Sequence, residues 1–123
     1  MTEKRQNRGH DLAERILDFA VCVIKLSSNL PRDETGFHIR KQILRSSTSA
    51  GANYEEARGA ESRADFSHKM GIVSKELKES RYWLKLIKRA DLMSLPTIQD
   101  VIKECEELCA IIGKSIITAN SRK

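Results

Sequence analysis

A heptad rhythm in the second half of the chain constrains the fold more than any other feature of its sequence. Apolar or small residues recur there at unbroken steps of four and three residues: Phe66, Met70, Val73, Leu77, Ser80, Leu84 and Ile87. This spacing places them on one face of an α-helix and favours near-parallel packing against other helices. Ser62 is the predicted N-cap, with Asp65 as its capping-box partner. The segment therefore predicts a long helix that ends near Ala90.

Helix-type spacing is also present in three other segments. The first predicted helix covers residues 11–29, with Asp11 as its N-cap and Ile24 widening its apolar face. It ends before Pro31, because proline disfavours helical geometry at the preceding residue. The second covers residues 34–58. The last has Pro96 in its first turn, where a missing backbone N–H does no harm.

These four helices, with no strand pattern, predict an all-α fold. Short breaks between them favour an up-down-up-down antiparallel four-helix bundle over residues 11–119, in one domain. Residues 1–10 are expected to form a flexible N-terminus, and residues 120–123 a polar tail. No apolar run approaches the ~18 residues that a membrane span needs. The polar first ten residues also lack a signal-peptide pattern, so we expect a cytoplasmic protein.

The second predicted helix contains a run of small residues. Its predicted buried stripe consists of Phe37, Arg40, Leu44, Ser47, Gly51 and Tyr54, flanked by Ile43 and Ala50. Gly51 costs about 1 kcal/mol relative to alanine inside a helix. Such a segment stays helical only if packing compensates, and small side chains permit another helix to approach closely. The alternative is a loop that splits this helix in two.

Residues suited to catalysis or metal binding are few. Cys22, Cys105 and Cys109 lie among apolar residues and are interpreted as buried free thiols. A metal site on Cys105 and Cys109 would need two further ligands. One Asp65-x-x-His68 pair falls short of the two Glu-x-x-His pairs of a di-metal carboxylate site. With no phosphate-binding glycine loop and no nucleophile elbow, we expect neither enzymatic activity nor a cofactor.

Basic and acidic residues fall on opposite sides of the third predicted helix. On a helical wheel centred on Leu77, basic residues fall from about 20° to 160° on one side. They are Lys75, Lys78, Arg81, Lys85, Lys88 and Arg89, here called the basic stripe. Glu76 and Glu79 fall on the other side. The stripe is either a solvated helix face or a track for phosphates of RNA or DNA. Tyr82 is placed to stack on a base, and Trp83 to pack against another helix or subunit.

One segment carries a family resemblance. The run Arg-Ser-Ser-Thr-Ser-Ala-Gly-Ala-Asn-Tyr-Glu-Glu-Ala over residues 45–57 is followed by Ser-Arg-Ala-Asp-Phe over residues 62–66. Together they resemble the four-helix-bundle family of 23S rRNA intervening-sequence proteins, over about residues 10–119. The resemblance implies a bundle that assembles into a ring-shaped homopentamer, with no catalysis. The family includes the accessory protein of diversity-generating retroelements, which implies binding to RNA or DNA and to a reverse transcriptase.

The resemblance also singles out individual positions. Those that match the family pattern are Arg45, Ser46, Ser49, Asn53, Glu56, Arg63, Asp65 and Phe66. Most are expected to be structural: Asn53 and Glu56 would form buried or inter-subunit hydrogen bonds, and Arg45 would pair with an acid. Gly51 stands where many members have proline, which argues against a proline kink there.

Together these observations predict a non-enzymatic, oligomeric helical protein that binds nucleic acid through the basic stripe. Arg63 and the tail residues Arg122 and Lys123 are candidates for additional contacts. The alternative is a protein–protein interaction scaffold, in which the stripe meets an acidic patch of a partner such as a polymerase.

Overall fold

Four α-helices make up the described part of the chain. The computed structural model describes the backbone of residues 2–94 and 96–121 and the side chains of residues 9–94, 96 and 98–121. The helices are α1 (Thr2–Ser27), α2 (Glu34–Arg58), α3 (Arg63–Arg89) and α4 (Thr97–Ser121), and there is no strand in these residues. Each helix packs against the next one in sequence, and α4 also packs against α1.

All four helices contribute to a single hydrophobic core. Its largest fully buried side chains include Ile16, Phe19, Ile43, Met70, Leu77, Leu84, Leu108 and Ile112. The predicted heptad face of α3 is confirmed, since its members from Met70 to Ile87 are buried and Phe66 is half-buried against the core. Burial of this face stabilises α3 more than helix propensity does.

Side chains cap the helices where they begin. The Asp33 carboxylate accepts a hydrogen bond from the Gly36 backbone N–H at 2.9 Å, at the start of α2. The Ser62 hydroxyl accepts one from the Asp65 backbone N–H at 3.1 Å, which confirms the predicted N-cap of α3. After α3, Asp91 has a φ of 52°, a left-handed conformation that Asp tolerates better than most residues.

Two predicted helix starts are wrong. Because α1 begins at Thr2, Asp11 lies inside the helix and is not its N-cap. Residues 3–6 are Glu, Lys, Arg and Gln, all favourable in helices, and no residue there stops the helix. Pro96 precedes α4, which begins at Thr97, instead of lying in its first turn. The division into terminus, bundle and tail stays a prediction, and Arg122 and Lys123 lie outside the described residues.

The buried face of α2 also differs from the prediction. Phe37, expected on the buried stripe, is 52% exposed. Ser47 and Tyr54 of the stripe are buried as predicted, with the flanking Ile43 and Ala50, while Arg40, Leu44 and Gly51 are half-buried. The other buried residues are Gly36, Ile39, Ser46 and Ala57. Because α2 packs against both α1 and α3, its buried face points between these two helices, and periodicity alone does not set that direction. The helix is continuous through the small residues, so the loop alternative is wrong.

A fully buried polar contact between α2 and α3 joins two serines. The hydroxyl oxygens of Ser46 and Ser80 lie 2.8 Å apart, and both residues are fully buried. Ser80 also donates to the Glu76 backbone carbonyl, at 3.0 Å. A Cβ added at Gly51 would lie 3.5 Å from the Ile16 Cγ2 atom, an ordinary contact. Alanine at Gly51 would therefore fit against α1, whereas the two serines make the contact between α2 and α3.

Gly36 is the glycine that the fold cannot replace by alanine. An added Cβ would lie 1.7 Å from the Pro31 carbonyl oxygen, a backbone atom that cannot move alone. The ~1 kcal/mol helix preference for alanine is outweighed by the clash, since overpacking costs ~1–3 kcal/mol or more. We expect Gly36→Ala to lower the free energy of unfolding by about 2 kcal/mol in urea titrations.

Gly71→Ala in α3 is the matched control, because nothing lies within 4 Å of the added Cβ. We expect it to raise the free energy of unfolding by about 1 kcal/mol. Equal effects of the two substitutions would contradict this account of the connection before α2.

Candidate nucleic-acid interface

The two flanks of α3 carry opposite charges and face different neighbours. Between them lies the apolar face that enters the core. The acidic flank, Glu76 and Glu79, meets Arg45 of α2. The basic stripe lies on the other flank, where Lys85 reaches Glu106 of α4. Thus α3 directs these two carboxylates toward α2 of the same chain and the cations of the stripe toward the opposite flank.

On the acidic flank, one guanidinium holds two carboxylates. Arg45 Nη1 donates to Glu76 Oε2 at 3.0 Å, and Arg45 Nη2 donates to Glu79 Oε2. The predicted pairing of Arg45 with an acid is therefore confirmed. The Glu76 side chain is only 7% exposed, so the Arg45 guanidinium offsets the hydration that its carboxylate loses on burial. The hydrogen bonds from Arg45 and then from Trp83 hold the pKa of the Glu79 carboxyl below its usual value.

The basic stripe is mostly open to solvent. Lys75, Lys78, Lys88 and Arg89 are exposed, and Arg81 and Lys85 are half-buried. Among the described residues, its one ion pair joins Lys85 Nζ to Glu106 Oε2 at 3.6 Å, where both side chains are nearly half exposed. Lys88 donates to the uncharged Gln99 side chain. Most of the positive charge of the stripe is therefore left without a bound carboxylate.

Two carboxylates of α4 lie on the side of that helix that faces α1, away from the basic stripe. Arg15 of α1 binds Glu104 at 2.6 Å and Glu107 at 3.5 Å. These contacts raise the pKa of the Arg15 guanidinium, chiefly through the hydrogen bond to Glu104. Because two acids of α4 are bound to α1, Glu106 is the one that reaches the stripe across the α3–α4 groove.

Two thiols lie under the stripe. Cys105 and Cys109 are buried and free, as predicted, whereas Cys22 is exposed and corrects the prediction for that residue. The neighbouring Cys105 thiol lowers the pKa of Cys109, and positive charge on Arg81 and Lys78 acts in the same direction. Interaction with Cys109, together with burial, raises the pKa of Cys105, whose Sγ donates to the Leu77 backbone carbonyl at 3.3 Å. Among the described side chains, no three His, Cys, Asp or Glu residues cluster as metal ligands would.

The remaining motif residues form local contacts. Asn53 Nδ2 donates to the Ser49 backbone carbonyl at 2.9 Å, inside α2, and Glu56 binds Lys69 of α3 at 2.7 Å. Ser46 is buried in the contact with Ser80 described above, whereas Ser49, Gly51, Asn53, Asp65 and Phe66 are half-buried. The motif therefore contributes contacts between α2 and α3 and does not extend the stripe.

Two features of the structure were not predicted from the sequence. Leu17, Val21 and Ile24 form an exposed apolar row on α1, although Ile24 was expected on its buried face. Their spacing of four and three residues was the available signal. A groove of 430 Å³ runs from this row to small residues of α2 that include Thr48 and Ala52.

The second missed feature is an aromatic cluster. The Trp83 ring makes T-shaped contacts with His38 of α2, at 5.8 Å between centroids, and with Tyr82, at 5.1 Å. The contact with α2 confirms the prediction that Trp83 packs against another helix. Tyr82 itself is 59% exposed.

Comparison with known proteins now assigns the family. The family model described as 23S rRNA-intervening sequence protein matches residues 9–114. The chain belongs to this family. A solved structure from Bacteroides thetaiotaomicron VPI-5482, a protein of unknown function from the S23 ribosomal protein family, is similar at 35% identity with a TM-score of 0.79. The similarity covers 88% of this chain and 96% of that one. Among curated proteins, none matches the sequence.

The resemblance seen in residues 45–57 and 62–66 is thus confirmed at the level of the family. For this 23S rRNA-intervening sequence protein, no helix in the described residues is both long enough and apolar enough to pass through a membrane.

The Glu79 ion pair predicts a pH dependence of stability. A carboxyl with a lowered folded-state pKa stabilises the protein above its unfolded-state pKa, and the contribution is lost as pH falls through the folded-state value. We expect Glu79→Gln to lower the free energy of unfolding by about 1 kcal/mol near neutral pH, because the partners are partly exposed. Once the pH is below the folded-state pKa of Glu79, denaturant titrations of parent and variant should give nearly equal values.

Glu14→Gln is the control for this measurement, because Glu14 is exposed and has no ion pair among the described residues. It should change little at either pH. A Glu79→Gln deficit that persists undiminished in acid would show that the charge of Glu79 is not what stabilises the contact.

Proposed function

We propose that this protein is a non-enzymatic, oligomeric helical protein that binds RNA or DNA through the basic stripe on α3. The observation that carries the proposal is the row of six cationic side chains on one flank, four exposed and two half-buried, to which the described residues bind a single carboxylate. Membership of a family described by 23S rRNA intervening sequences supports RNA as a ligand. No cofactor is needed for this function.

The stripe suits phosphates better than base edges. From Lys75 to Arg89 it extends about 20 Å along the helix at 1.5 Å per residue. Lysine and arginine at such intervals neutralise successive phosphates, and the released counterions make binding strongly salt-dependent. Contacts of this kind position the protein on nucleic acid without selecting its sequence.

The assembly is part of the proposal. Short connections between helices that pack in sequence order support an up-down-up-down four-helix bundle. The family resemblance suggests a ring-shaped homopentamer. The exposed row Leu17, Val21 and Ile24 is the surface that a second copy of this chain would cover. Several stripes on one ring would add their affinities for a long polyanion.

The retroelement branch of the family suggests a reverse transcriptase as protein partner, and the cytoplasm is the proposed location. A scaffold function is the second candidate. In that case binding of the partner protein would survive nuclease treatment, whereas a nucleic acid bridge would not.

Charge reversal tests the stripe. In the triple variant Lys78→Glu, Arg81→Glu and Lys85→Glu, repulsion of phosphates should weaken binding of a labelled RNA oligonucleotide by more than about a hundredfold. Fluorescence anisotropy at several salt concentrations measures it, and circular dichroism checks the helicity.

The matched control reverses Lys41, Lys103 and Lys114, which are exposed on α2 and α4. It changes the net charge by the same amount and should retain most of the affinity. Equal binding by the stripe variant and the parent would refute the proposed function.

Substitution of the α1 row tests the assembly. A carboxylate at an apolar subunit contact would be buried without a partner. We expect Leu17→Asp combined with Ile24→Asp to lower the subunit number seen by sedimentation velocity. Ile117→Asp, at a 70% exposed position of α4, is the control and should leave it unchanged. A parent protein that sediments as a monomer would exclude the ring.

A further inference from the structure

Tyr82 lies among the residues of the basic stripe on the surface of α3. On a helix, residues three, four and seven positions apart share one side. At these distances from Tyr82 are four of the six stripe residues: Lys75, Lys78, Lys85 and Arg89. The other two such neighbours are Glu79, which is bound to Arg45, and Leu86. An aromatic ring that is 59% exposed is therefore surrounded along its helix mainly by cations.

The ring is held in place from one side. Trp83 meets it in a T-shaped contact at 5.1 Å, with 76° between the ring planes. Trp83 is held in turn, because its Nε1–H donates to Glu79 Oε2 at 3.0 Å and its ring contacts His38 of α2. A series of contacts thus runs from the Arg45–Glu79 ion pair through Trp83 to Tyr82. A ring supported in this way loses little freedom when a ligand stacks on it.

Space is available next to the ring. An open cavity of 540 Å³ lies between α2 and α3, with Tyr82, Trp83 and His38 in its wall and Glu34, Ile39 and Leu86 beside them. Tyr82 lines this cavity and lies beside stripe residues on the surface of α3. A flat ligand that reaches Tyr82 therefore also lies within reach of the cations around it.

We propose that Tyr82, supported by Trp83 and His38, is a stacking site for an unpaired base, so that the stripe binds single-stranded nucleic acid in preference to duplex. This inference rests on the proposed function of the stripe. Cationic side chains that follow the backbone, combined with an aromatic ring for the bases, are the features of single-strand binding surfaces. In a duplex the bases are stacked on one another and their faces cannot reach Tyr82.

The test compares Tyr82→Leu with the parent on a labelled single-stranded DNA oligonucleotide and on the duplex of the same sequence, by fluorescence anisotropy at one salt concentration. Leucine keeps an apolar side chain but has no ring. We expect about tenfold weaker binding of the single strand and less than about twofold change on the duplex. Tyr82→Phe should restore single-strand binding.

Two further measurements separate stacking from other effects. Phe37→Leu removes another exposed aromatic ring, outside the stripe, and should leave both affinities unchanged. Trp83 is the one tryptophan of the chain, so its fluorescence should be quenched by the single strand in the parent and much less in Tyr82→Leu.

Failure of the stacking site gives a different result from failure of the proposed function. If Tyr82→Leu binds the single strand as well as the parent, or loses affinity equally for single strand and duplex, the stacking site is refuted while the stripe stands. If the parent binds neither form, the proposed function is refuted and this inference with it.

Discussion

The contact of Arg45 with Glu76 and Glu79 is the interaction on which the rest of the candidate site depends. Glu76 is nearly buried, and a buried carboxylate without a partner would cost several kcal/mol. The guanidinium of Arg45 suits this position because its planar fork can bind two carboxylates at once. Burial of the heptad face orients α3, and in that orientation both acids meet the guanidinium of α2. With the acids directed to α2, the basic residues are left on the outer flank.

A second arginine completes this sorting of charge. Arg15 holds Glu104 and Glu107 on the α1 side of α4. If these carboxylates faced α3, they would neutralise the stripe and remove its attraction for phosphates. Both arginine contacts are partly exposed, so each adds only modestly to the free energy of unfolding. Their larger effect is on the surface potential, because they determine which charges remain unpaired.

One carboxylate oxygen links the stability of the fold to the proposed binding of nucleic acid. Glu79 Oε2 accepts hydrogen bonds from both Arg45 and Trp83. The ion pair between α2 and α3 therefore also fixes the tryptophan that supports Tyr82. The small side chains of Ser46 and Ser80 let α2 and α3 approach closely enough for these contacts. The motif that carries the family resemblance thus acts on the candidate interface without being part of it.

The sequence predicted the ends of some helices well and missed other features of the fold. The helical periods of α2 and α3 placed their ends to within a residue, because capping residues and apolar spacing are local signals. The start of α1 was missed, since the polar residues before Asp11 carry no apolar period although they favour helix. Periodicity also misplaced Phe37, because it marks a face but not the direction in which that face points.

The sequence by itself determined that α3 has an apolar face and two oppositely charged flanks, since positions on one helix follow from residue spacing alone. Only the tertiary structure decided which flank meets a partner. The pairing of Arg45 with Glu76 and Glu79 spans more than 30 residues, and Arg15 reaches Glu104 across 89. Contacts between residues so far apart depend on how whole helices pack, and that packing minimises buried unpaired charge over the entire domain at once.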